Sequence, residues 1–239
     1  MFTALFVSTV LSQATPVPTT NEFKFVPTID TTIYSFKSSD TLVEVTPTIV
    51  LPDVLHEISI TVSLPIYTQS ESTGVSDLAL NADTSVWNGS LFGGKSTWSL
   101  NAGVLIPLAS NIYTSTSLVP TLGTSLDVSW DKFSIVQSAE WVVVANGSSY
   151  NSLLNSQVSS QWFSGETNFN YELSDALTVG VRVTEQWITT GEWTVLAGPE
   201  VSWEPATNWA VSAGVGIPVY QNTTEELNTV VHFGVSFKF

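Results

Sequence analysis

The chain has no cysteine, few basic residues and no long apolar run, and each absence removes a class of protein. Without Cys there is no disulfide framework and no thiolate metal site; the absence merely permits an oxidising compartment. Only 6 Lys and Arg stand against 21 Asp and Glu, a net charge of −15. Nothing so acidic can neutralise a run of phosphates, so nucleic acid is excluded as a partner, and an anion-selective pore is disfavoured. No apolar stretch approaches the roughly 18 residues a membrane helix needs. Histidine is scarce too: His56 and His232 are the only two, and neither lies in a catalytic motif. No enzyme is expected, nor any cofactor or metal. Gly93-Gly94-Lys95-Ser96 lacks the leading glycine of a phosphate loop and precedes a strand rather than a helix.

Charged residues make up 11% of the chain against 43% hydrophobic. That is about half the usual globular charge, too little to coat a soluble surface, and too much apolar content for disorder. A closed barrel resolves this, because its strands need only every second residue to be apolar. Residues 1–14 read as the apolar core of a secretory signal ending in Ser12-Gln13-Ala14, although no basic residue precedes it. Residues 15–21, with Pro16 and Pro18, form an extended linker. Residues 22–239 then divide into about twelve strands, with ten or fourteen as alternatives: Glu22–Phe36, Thr41–Leu51, Glu57–Tyr67, Asp77–Trp87, Ser96–Leu108, Gly123–Trp130, Phe133–Ala145, Gln161–Leu173, Leu177–Ile188, Glu192–Trp203, Trp209–Tyr220 and Thr229–Phe239. Connections after the third, fifth, seventh and eleventh are long and rich in Ser, Thr and Asn. Those after the sixth, eighth and tenth are short. Two break the rule: the connection Asn88–Lys95 reads as long and the one after the ninth strand as short. Trp87, Trp98, Trp130, Trp203 and Trp209 fall at one set of strand ends and Trp162, Trp187 and Trp193 at the other, as two interfacial girdles would.

The last strand alternates strictly: Val231, Phe233, Val235, Phe237 and Phe239 on one face, His232, Gly234, Ser236 and Lys238 on the other. It resembles the closing strand of Gram-negative outer-membrane β-barrels, whose C-terminal aromatic residue is read by the barrel-assembly machinery. The resemblance implies that Phe233, Phe237 and Phe239 form that signal. It also implies a porin-like, closed up-and-down antiparallel transmembrane β-barrel in the bacterial outer membrane, in contact with lipid and lipopolysaccharide. A second, narrower resemblance rests on Gly216-Ile217-Pro218-Val219-Tyr220, echoed by Ser63-Leu64-Pro65-Ile66-Tyr67: it is similar to strand ends of small-solute transporter barrels of the phenol-degradation type.

Taking the polar alternate of each strand as the lumen gives Glu44, Asp127, Glu140, Glu166, Glu172, Glu200 and His232, with Arg182 as the central basic residue. Arg182 is expected to lie among Glu166, Glu172 and Glu200, either as a cross-lumen salt bridge or as a constriction filter. An acidic lumen attracts cations, so the expected function is passive diffusion of cations or small uncharged solutes. The alternative is a plugged structural barrel serving adhesion or phage reception. The sequence leaves the oligomeric state open.

Overall fold

Period-two alternation becomes strands with two unlike faces, and these close on themselves. The computed structural model describes residues 25–38, 40–55, 58–70, 72–206 and 208–237. The expected signal and linker, and Phe239 of the expected assembly signal, lie outside the described residues. In chain order the strands are β1 (Val26–Phe36), β2 (Thr41–Leu55), β3 (Ile58–Ser63), β4 (Ile66–Gln69), β5 (Ser72–Val75), β6 (Leu78–Leu91), β7 (Gly94–Ile106), β8 (Val119–Trp130), β9 (Phe133–Val142), β10 (Ser149–Asn151), β11 (Ser156–Val158), β12 (Trp162–Ser174), β13 (Leu177–Ile188), β14 (Trp193–Ala206), β15 (Trp209–Asn222) and β16 (Leu227–Phe237). Twelve of them form one antiparallel barrel in the order β1-β2-β3-β6-β7-β8-β9-β12-β13-β14-β15-β16, and β16 returns to β1. Closure satisfies every strand edge, which an open sheet cannot do.

One face of each strand points out and is apolar. Ile29 and Ile33 of β1, Leu100 of β7, Leu122 of β8, Phe169 of β12, Val181 of β13 and Val231 and Phe233 of β16 are exposed. Their alternates, such as Thr28, Thr32, Thr46, Thr61, Thr121 and Ser138, are buried inward. Soluble cores reverse this polarity; a barrel surrounded by lipid requires it.

The end bearing both termini, here the terminal end, has tight turns at Phe92-Gly93, Asp131-Lys132 and Asp175-Ala176. The expected long connection Asn88–Lys95 is not one: β6 and β7 stay paired to Leu91↔Gly94. Asn88, Gly89 and Ser90 are turn formers by preference, but cross-strand pairing holds them extended. The turn falls instead at Phe92 and Gly93, whose φ of 50° and 80° suit a two-residue hairpin. With that correction the short-turn pattern holds at the terminal end. At the opposite, loop end, the expected third strand is broken: Pro65 ends β3, and β4 turns back into a hairpin with β5 that still pairs β2.

Candidate functional site: a charged belt beneath a closed mouth

Arg182 on β13 lies at the centre of a belt inside the barrel. Its Nη2 donates to Glu200 Oε1 on β14 at 2.5 Å, and its Nε lies 3.6 Å from Glu166 Oε1 on β12. Nε also donates to Asn168 Oδ1 at 3.3 Å, while Asn168 Nδ2 donates to Glu166 at 2.5 Å. Three strands along the same wall, on β16, His232 Nε2 stands 3.1 Å from Arg182 Nη1 and 3.6 Å from the same Glu200 oxygen. Two carboxylates, one guanidinium and one imidazole therefore share one network. Backbone register makes room for it. His232, Gly214, Glu200 and Gly180 face one another across β16, β15, β14 and β13, and a Cβ at Gly214 would collide with the imidazole ring.

Glu172, expected beside Arg182, is elsewhere. It opposes Thr178 near the terminal end and lines an inner vestibule of about 520 Å³ with Asp127, Glu204, Asn168, Asn170 and Lys95. Strand rise separates the two sites: along β12, Glu172 stands six residues beyond Glu166, roughly 20 Å of chain. Glu140 also faces inward on β9, opposite Gly123.

Above the belt the mouth is filled by the chain itself. Residues 107–118 and 143–161 fold into the lumen, and β10 and β11 form a small hairpin within the second. Tyr67 of β4, Tyr113 and Tyr150 meet with ring centroids 5.0–5.3 Å apart. Leu153, at the hairpin tip, is buried among Tyr34, Phe36, Leu42, Leu196, Leu227 and Val230. Polar contacts fasten both loops. Asp77, just before β6, accepts from Ser115 N at 2.8 Å and from the Ser115 hydroxyl, whose oxygen also lies 2.8 Å from Ser149 Oγ. Burial raises the Asp77 carboxyl above the usual range, and the Ser115 donors oppose that shift. Ser152 donates to Tyr34 OH at 3.2 Å, and Tyr34 donates to Glu44 Oε2 at 2.9 Å. Glu44 is fully buried here, beneath the loop tip rather than in an open passage. Beside Leu153 a cavity of about 60 Å³ remains, reaching Asp30, Arg182 and His232.

The tryptophans divide between the rims, with one exception. Trp87, Trp98, Trp130, Trp203 and Trp209 stand at the terminal end, Trp187 and Trp193 at the loop end. Trp162 is not part of a girdle: it is 2% exposed and packs inward with Val142, Val144, Leu154 and Ile188. Its neighbour Phe163 takes the outward position instead. The sequence reading missed the mouth altogether, although Tyr113, Tyr150 and Leu153-Leu154 interrupt otherwise Ser/Thr/Asn-rich loops. Among the described residues no group of His, Asp or Glu could hold a metal ion.

A family model described as "Putative MetA-pathway of phenol degradation" matches residues 12–233, nearly the whole chain. The chain belongs to that family. No curated protein matches it in sequence. Among solved structures, an outer membrane channel from Pseudomonas putida F1 is similar at TM-score 0.70 and 10% identity, over 95% of this chain and 97% of that one. The NanC porin is similar at TM-score 0.59 and 10% identity, over 90% and 100%. The KdgM porin follows at TM-score 0.56 and 12% identity, over 90% and 99%. At such identities these likenesses establish that this family member has the channel-type barrel fold.

Proposed function

We propose that this protein is a narrow pore of the bacterial outer membrane, passing small cations or small uncharged solutes by passive diffusion, with a mouth constricted by its own loops. The observation that carries the reading is the acidic vestibule beneath the Arg182 belt. Asp127, Glu172 and Glu204 line it with Lys95 as a basic neighbour, while Arg182 is already engaged by Glu166 and Glu200. An excess of carboxylates over basic groups along a low-dielectric passage concentrates cations and repels anions. The outward apolar face and rim tryptophans support residence in lipid, with lipopolysaccharide at the loop end and short turns in the periplasm. Phe233 and Phe237 point outward on β16, compatible with recognition by the assembly machinery.

One observation favours a second reading, a plugged structural barrel: Leu153 and the three tyrosines pack the mouth as a protein core does. Single-channel recording in a planar bilayer under a KCl gradient separates them. Discrete steps with a cation-directed reversal potential are expected. Insertion without conductance supports the plugged barrel, and anion preference overturns the acidic-lumen reading.

A further inference from the structure

Among the described residues of the membrane-spanning strands, Glu185 is the one charged side chain on the outward face. It sits on β13 at odd parity with Val181 and Trp187, and it is exposed. A carboxylate turned towards lipid is costly and marks a function more often than an accident. Its surroundings are built. Cross-strand pairing places Trp141, Phe163, Trp187 and Trp193 in one row across β9, β12, β13 and β14. The next row inward is Ala139, Gly165, Glu185 and Val195, and the one below begins with Gln137 and Thr167. Gly165 has no side chain and Ala139 hardly one, so the wall is dented beneath an aromatic shelf. The dent holds about 510 Å³ and is rimmed by Gln137, Thr167 and Glu185. Its size lies in the range of small-molecule sites.

We infer that this notch binds the hydroxyl-rich, uncharged sugar headgroup of a membrane glycolipid. Glu185, Gln137 and Thr167 offer acceptors to hydroxyl donors, and Gln137 and Thr167 can donate in return. The shelf rings stack on one another, Trp141 on Phe163 at 5.7 Å and Phe163 on Trp187 at 5.5 Å. The faces of Phe163 are therefore occupied, and its positive edge is what remains for a ligand. That edge is complementary to sugar oxygens. A phosphate finds no cation in the notch. Below it Ile135, Phe169 and Val181 continue the apolar wall along which acyl chains would lie.

This inference rests on the membrane residence proposed above. Its test is native mass spectrometry of the whole protein in a polyoxyethylene detergent, titrated with decyl maltoside, decylamine, decyl phosphate and free maltose. Decyl maltoside should bind at least tenfold more tightly than the other three. Gly165→Leu, which fills the dent where a Cβ meets only ordinary contacts, and Glu185→Leu should each abolish that preference. The two variants alter different walls, so either one that folds suffices. Preference for decylamine or decyl phosphate, equal binding of free maltose, or preference retained in a folded variant overturns the inference. Failure of the membrane reading would show separately, as a protein that stays soluble without detergent.

Discussion

Arg182 illustrates how much a single side chain carries inside a barrel. Its charge is shared between Glu166 and Glu200, both largely shielded from water. Arg182→Met would leave two carboxylates facing one another without a counter-charge. Breaking a buried pair in this way costs about 3–5 kcal/mol, so urea unfolding from lipid vesicles, followed by tryptophan fluorescence, should shift to lower urea. Adding Glu200→Gln should restore part of the loss. On the outer wall, Val179→Arg should cost about 2–4 kcal/mol in the same assay, because Val179 shares the outward parity of Val181. The pairing of Arg182 with Glu166 and Glu200 was legible in the sequence, since parity and strand order place them on adjacent inward faces. Trp162 was not legible: Trp162 and Phe163 are adjacent aromatics, and which one faces lipid depends on register, which composition alone does not set.

At the scale of elements, the strands were readable because a lipid-facing wall enforces strict alternation: β13 has its expected bounds, and β9 and β12 differ from expectation by one to three residues at their ends. The in-folded loops were not. Their positions depend on tertiary hydrogen bonds such as Ser115 to Asp77 and Ser152 to Tyr34, which pair residues 38 and 118 positions apart and leave no local period. The β10–β11 hairpin is the element that closes the mouth, so replacing residues 149–158 by two glycines should raise single-channel conductance severalfold while the barrel still inserts. Unchanged conductance would move the constriction to the Arg182 belt. Ser115→Ala, which loses the Asp77 and Ser149 contacts but keeps the backbone donor, should instead produce brief openings within an otherwise closed record.

Over the whole molecule, charge and shape point the same way. The vestibule is wide and acidic, the belt sets one guanidinium against two carboxylates, and the mouth is narrow. Cation preference should therefore be strongest in dilute KCl and fade near 1 M, where the Debye length shrinks to about 3 Å. A preference independent of salt would place selectivity in the narrow mouth instead. The closure of the wall has a further consequence, for biogenesis. Thr28 pairs with both Thr48 and Ser236, so the first strand of the barrel must wait for the last before its second edge is covered. Pairings this distant in sequence form slowly, and an open edge meanwhile invites association with other chains. A premature stop anywhere before β16 yields a sheet that can never close, so truncation acts as a switch on survival of the chain, with cleared or aggregated product in place of a slightly weakened barrel.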